Sequence, residues 1–189
     1  MPDTPPLETD VLVVGAGPTG LMAGLVLHRR GVNSLVIDGK SGPTRESRAI
    51  VVQARSMEIY DQLGLAEKVL AGANPAGRLR IAPDPSRIDG TDRADGADAG
   101  ADFGAAQTGW TQVPGAQIFE QARNEELLAR TLAEEGRPVL WGHSLVSLEE
   151  HDDHVEVLAE GSQGPLRIRA RYLIGADGEK TNQEVVELL

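Results

Sequence analysis

A chain of 189 residues, 40% of them hydrophobic, has room for one sizeable core with an excursion and no room for a second full domain. A formal charge of −11, from 18 basic against 29 acidic residues without a Lys/Arg cluster, offers no track for a phosphodiester backbone or an anionic bilayer, so nucleic acid and membrane are not expected partners. Cysteine is missing, which removes disulfides, thiolate metal sites and cysteine nucleophiles. The acidic, proline-rich start MPDTPPLETD resembles neither a signal peptide nor a membrane span, so a cytoplasmic protein is expected.

In chain order, DVLVV from Asp10 to Val14 predicts a buried strand that stops at glycine. Leu21, Met22, Leu25 and Val26 then recur at helical spacing, with Gly31 as the C-terminal cap. SLVID, Ser34 to Asp38, predicts a second buried strand, which completes a right-handed βαβ unit and implies a parallel sheet. Two helical stretches are expected within 53–71, around Met57, Ile59, Leu63, Leu65 and Leu70, with a break at Gly64. From Pro83 to Gly109 the chain is dense in Gly, Ala, Asp and Pro and predicts a flexible surface excursion without regular structure. Gln121 to Glu135 predicts a helix with Leu127, Leu128 and Leu132 on one face. Strands are expected at 138–142 (PVLWG), Leu145 to Glu149 and Val155 to Glu160, the last two joined at Asp152 and Asp153. A final strand is read from Leu166, Ile168, Ala170 and Tyr172 alternating with Arg167, Arg169 and Arg171, leading into LIGADG. Together these describe an α/β, Rossmann-like domain over 1–189, a parallel sheet joined by an antiparallel meander.

The chemistry gathers at VVGAGPTG. Gly15, Gly17 and Gly20 stand between the first strand and its helix, at the spacing of a dinucleotide-binding loop: a tight turn, close backbone approach to a diphosphate, and helix packing. Thr19 lies within this loop, at a helix start whose N–H groups suit an anion. Asp38 ends the second strand about 20 residues on, where a ribose hydroxyl would bind. A glycine turn serving structure alone is the plainer alternative, and the motif does not choose between NAD and FAD.

The ordered segments VLVVGAGPTGL, SLVID, RESRAIVVQARSMEIYDQLGL, EQARNEELL and RYLIGADG resemble the p-hydroxybenzoate-hydroxylase-like group of flavoprotein monooxygenases, which includes polyketide and phenol hydroxylases. The resemblance implies a glutathione-reductase-type FAD-binding fold, FAD as cofactor, NADPH or NADH as transient reductant, and an aromatic small molecule and O2 as reaction partners. It assigns Arg48 to the FAD ribose and diphosphate region, Gln121 to the ribitol or phosphate side, the backbone at Leu145 to the adenine, and Asp177 and Gly178 to the diphosphate. Gly39, directly after Asp38, joins the same set. Arg48 has a solvated loop charge as its plainer alternative, Gln121 a helix cap and Asp177 a turn. The resemblance implies neither a catalytic acid/base pair nor a metal site in this stretch. His28, His143, His151 and His154 lack metal-ligand spacing, and Trp110 and Trp141 read as packing residues.

After Asp177-Gly178 the pattern departs. EKTNQEVVELL places Gln183 and Glu184 where the family has Val and Arg, and the family's substrate-binding sheet and later Gly-Asp motif would lie beyond Leu189. A truncated FAD-binding domain that holds FAD weakly is therefore expected. Two alternatives stay open: another flavoprotein of the superfamily, such as a reductase, epoxidase or halogenase, and a non-catalytic remnant that associates through an uncovered sheet edge.

Overall fold

β1 (Leu7–Val14) is the strand that DVLVV predicts, and it is longer at its start because its parallel partner is long. The 12-residue β11 (Gly164–Gly175) runs beside it from Ile168, so Leu7, Glu8 and Thr9 also have ladder partners. The computed structural model describes residues 5–45, 49–75, 78–80, 100–102, 116–162 and 164–178, with the backbone alone at 49–50, 78–80 and 100–102. They fall into two compact units, Met1–Ser47 with Gln121–Leu189, and Arg48–Glu120.

In the first unit α1 (Pro18–Arg29) and β2 (Ser34–Asp38) follow β1 and complete the βαβ unit. α4 (Gln121–Glu134), β8 (Leu140–Trp141), β9 (His143–Glu150), β10 (Val155–Gly161) and β11 come from the C-terminal half. The sheet order is β8-β2-β1-β11-β10-β9. β8, β2, β1 and β11 are parallel; β9, β10 and β11 form the antiparallel meander. β8 is shorter than the expected 138–142 run: Pro138 has no N–H to give a ladder. The alternation read in β11 reaches the core at Ile168 and Ala170, whereas Tyr172 is 65% exposed.

The core of this unit joins Leu12, Val14 and Ile37 of the parallel strands to Val157, Ala159, Ile168 and Ala170 of the meander. Leu21 and Leu25 of α1 and Leu128 and Leu132 of α4 are fully buried, each contributing about 1.5–3 kcal/mol relative to exposure. A Cβ on Gly24 would stand 2.5 Å from Val36 Cγ2, so glycine there lets α1 lie close on β2. α1 ends as its sequence predicts: Gly31 has φ +77, its N–H donates to His28 O at 2.9 Å, and Val32 N–H donates to Leu27 O at 3.0 Å. This is the paired capping pattern that a left-handed residue permits.

The second unit contains β3 (Ala49–Val52), α2 (Ala54–Gln62), α3 (Ala66–Gly72), β4 (Asn74–Pro75), β5 (Arg78–Arg80), β6 (Gly100–Asp102) and β7 (Gln117–Glu120). The two helices are those read within 53–71, and they break at Gly64. Strands β3, β7 and β4 form one sheet, and β5 pairs with β6. Met57, Tyr60, Val69 and Phe119 are buried here. β6 corrects the expectation that Pro83 to Gly109 carries no regular structure: Gly100, Ala101 and Asp102 are ordered by backbone pairing with Arg80, Leu79 and Arg78, a source of order that composition does not register. The rest of that excursion lies outside the described residues, as do Trp110 and the segment EKTNQEVVELL from Glu179 to Leu189. No helix among the described residues is long and apolar enough to cross a membrane.

Candidate functional site

At the end of β1 the chain turns on three glycines, and the structure gives them different reasons. Gly15 has φ +106, and a Cβ there would lie 2.4 Å from Ala176 C and 2.5 Å from Asp177 N; both strain and close packing require glycine. A Cβ on Gly20 would lie 1.8 Å from Gly15 O, so the helix could not approach the turn. Gly17 has neither reason. Its φ of −75 and ψ of −179 suit any residue, and nothing stands within 4 Å of where its Cβ would be. A purely structural turn explains Gly15 and Gly20 but not Gly17, where the glycine leaves the backbone open to close approach.

Gly17 is also the N-cap of α1 and brings no side-chain cap, and Pro18 occupies the first helical position, where its missing N–H is no loss. The first intrahelical bond is Leu21 N–H to Gly17 O at 3.0 Å. The preceding N–H groups of the first turn, at Thr19 and Gly20, have no acceptor within the helix, and they carry the positive end of its dipole. Thr19 is exposed on this turn.

Pairing of Val14 with Ile37 brings the end of β2 beside the bend. Ala16 N–H donates to Asp38 Oδ2 at 2.6 Å, and Lys40 N–H donates to Asp38 Oδ1 at 2.7 Å. The carboxylate therefore faces the glycine turn with its side chain 12% exposed. Two N–H groups use only part of its roughly four acceptor positions, so hydroxyl donors can still be taken. At Gly39 a Cβ would sit 2.3 Å from Ser144 Oγ, and Gly142 N–H donates to Lys40 O at 2.7 Å. The start of β9 is thus held against the exit of β2. Leu145 lies there, partly buried, with its side chain packed against the core cluster.

Beyond β11, Ala176 N–H donates to Val14 O at 2.7 Å, so Asp177 and Gly178 leave the sheet alongside Gly15. Asp177 is exposed, and Gly178 has φ +89. Gln121 opens α4, and its Nε2 donates to Glu125 Oε1 at 2.8 Å. Glu125 is completely buried. Its Oε2 also accepts from Thr44 N–H at 2.8 Å and from Lys40 Nζ at 3.3 Å, and Lys40 Nζ is 3.8 Å from Asp38 Oδ2. Lys40, Thr44 and Glu125 were missed in the sequence. A usable signal was present: Glu125 is in phase with Leu128 and Leu132, a charge on the buried stripe of a helix. Arg48 lies outside the described residues. The sequence-predicted residues Gly15, Gly17, Gly20, Asp38, Asp177 and Gly178 gather around the bend, and Gln121 is linked to Asp38 through Glu125 and Lys40.

Elsewhere, His151, His154 and Glu156 bring ligand-type atoms within 4.8 Å of one another, closer than their spacing implied. The two rings stack at 4.5 Å and 12°, so their in-plane lone pairs run side by side instead of converging on one ion. Arg169 Nη2 adds positive charge 3.2 Å from His154 Nδ1. His154 Nδ1–H donates to Asp153 Oδ1 at 2.6 Å, and that bond, followed by the imidazole's charge, holds the Asp153 carboxyl below its ordinary range. The group spans the β9–β10 turn and the adjoining strands β10 and β11.

The family described as FAD binding domain matches residues 8–185. The chain is 34% identical over 178 residues to 12-dehydrotetracycline 5-monooxygenase/anhydrotetracycline 6-monooxygenase of Streptomyces rimosus, covering 91% of this chain and 31% of that protein. It is equally identical, 34% over 178 residues, to a rifampicin monooxygenase of Streptomyces venezuelae, covering 91% and 32%. Among solved structures, the flavin-dependent monooxygenase PieE in complex with FAD and substrate superposes with a TM-score of 0.72 at 29% identity, covering 93% of this chain and 31% of that one. The chain spans about a third of the length of these relatives. A match of this extent, over a strand, turn and helix with the geometry above, makes the chain a member of the FAD binding domain family, related to flavin-dependent aromatic and polyketide monooxygenases.

Proposed function

We propose that the chain is the FAD-binding portion of an NAD(P)H-dependent monooxygenase that hydroxylates an aromatic, phenolic or polyketide substrate. Bound FAD would supply the redox and oxygen-activating chemistry; the residues described here bind and orient it. The first turn of α1 takes the diphosphate with its N–H groups, and Gly17 lets the backbone come close. Asp38, fixed by Ala16 N–H, accepts from the ribose. The backbone at Gly39 and Leu145 borders the adenine side, Gln121 meets the ribitol or phosphate side, and Asp177 with Gly178 flanks the diphosphate. Arg48, Thr19 and the reading of residues 1–189 as a single FAD-binding domain belong to the same proposal, which a family match running continuously through both compact units supports.

The observation that carries this reading is the open Gly17 beside a carboxylate turned onto the bend. Magnitudes agree with a shared task. A micromolar ligand needs about 8 kcal/mol, a helix terminus gives roughly 0.3–1 kcal/mol, and a hydrogen bond to a charged group about 1.5–3 kcal/mol; several of these groups must act together. Asp38→Ala should therefore raise the FAD dissociation constant at least about tenfold. The same change at Asp152, exposed in the β9–β10 turn, should leave it unaltered. Equal effects in a fluorescence titration would remove Asp38 from the ribose role.

A further inference from the structure

Glu125 asks for an explanation that the fold does not give. It stands in line with Leu128 and Leu132 on the buried stripe of α4, where an apolar residue would pack without the heavy penalty of burying a carboxylate. Its partners are Gln121, which the proposed function sets against the cofactor, and two residues of the loop that leaves Asp38, Lys40 and Thr44. Gln121 Nε2 reaches Oε1 at 2.8 Å; Thr44 N–H and Lys40 Nζ reach Oε2 at 2.8 and 3.3 Å.

We propose that Glu125 is the positioning residue of the cofactor cradle, one buried carboxylate that fixes the amide of Gln121 on α4 and the loop leaving Asp38. This rests on the FAD-binding reading above. A carboxylate only accepts hydrogen bonds, so it selects the NH2 end of the Gln121 amide and leaves the carbonyl oxygen and the second N–H for other partners. On the other side it holds the loop that starts at Asp38 by its Thr44 N–H. It also keeps Lys40 between itself and Asp38, with Nζ 3.8 Å from Asp38 Oδ2. The ribose carboxylate and the Gln121 amide are thereby set by a single group that does not itself reach solvent.

The test is an FAD titration by flavin fluorescence and absorbance on the full chain, with the ligand-free melting temperature recorded for every variant. Glu125→Gln keeps the volume but loses both the charge and the acceptor-only character. It should raise the FAD dissociation constant about tenfold or more, and the factor should shrink at least about threefold in a Gln121→Ala background, because part of the effect runs through that side chain. Glu126→Gln, an exposed neighbour paired with Arg130 on the surface, should change nothing. Should Glu125→Gln not fold, Lys40→Met and Gln121→Ala decide the matter: each should weaken FAD at least about threefold. FAD affinity within twofold of wild type in folded Glu125→Gln, an undiminished factor in the Gln121→Ala background, or neutral Lys40→Met and Gln121→Ala variants would overturn the positioning role. A wild-type chain that fails to bind FAD overturns the underlying reading instead.

Discussion

Three glycines in one turn look alike in the sequence and differ in the structure. Gly15 and Gly20 are demanded by backbone strain and by contacts of 2.4 and 1.8 Å to a missing Cβ, while Gly17 has extended backbone and open space. The substitutions should separate accordingly. Gly17→Ala leaves the melting temperature within a few degrees and weakens FAD about tenfold or more, since the methyl group occupies the line of approach. Gly15→Ala and Gly20→Ala unfold or markedly destabilise the chain, the strained backbone and displaced neighbours costing about 1–3 kcal/mol or more. Calorimetry beside the titration reads both. At this scale the motif and Asp38 were legible because glycine spacing and a strand-end acid are local signals. Glu125 shows in the sequence only as a charge in phase with Leu128 and Leu132; its meaning depends on Lys40 and Thr44, about 80 residues away in the chain, which only the fold brings to it.

Among the elements, the strands and helices of the first unit follow their periodicity. SLVID spans β2 without a shift, and β10 and β11 alternate until the sheet stops covering Tyr172. β3, β4, β5, β6 and β7 went unread. They are two to four residues long, too short for alternation to register, and their order comes from pairing between distant segments. The contact of α1 with β2 shows how closely such elements are matched. Gly24→Ala gains about 1 kcal/mol of helix propensity, but its Cβ would stand 2.5 Å from a stiff valine methyl group, an overpacking worth about 1–3 kcal/mol. The net effect should be a loss of up to about 2 kcal/mol. In a Val36→Ala background the clash disappears and the same substitution should stabilise. Denaturant unfolding of the four-member cycle measures the change of sign, and a Gly24→Ala cost that persists without Val36 would place the strain elsewhere.

For the molecule as a whole, the βαβ unit, the meander and the family were legible because five ordered segments lie far apart and each carries its own pattern. The division into two units was not, since the second unit begins and ends inside segments that read as continuous. The proposed function depends on a single physical proposition, that α1 aims an uncapped helix start at a diphosphate while Asp38, pinned by Ala16 N–H, receives the attached ribose. The most direct measurement is an equilibrium titration of the purified chain with FAD and, separately, with NAD, followed by flavin fluorescence and by calorimetry. The account predicts saturable one-to-one FAD binding with a dissociation constant of about a millimolar or tighter, corresponding to at least about 4 kcal/mol, a perturbed flavin spectrum, and much weaker binding of NAD. Saturable binding of NAD with no response to FAD would contradict it.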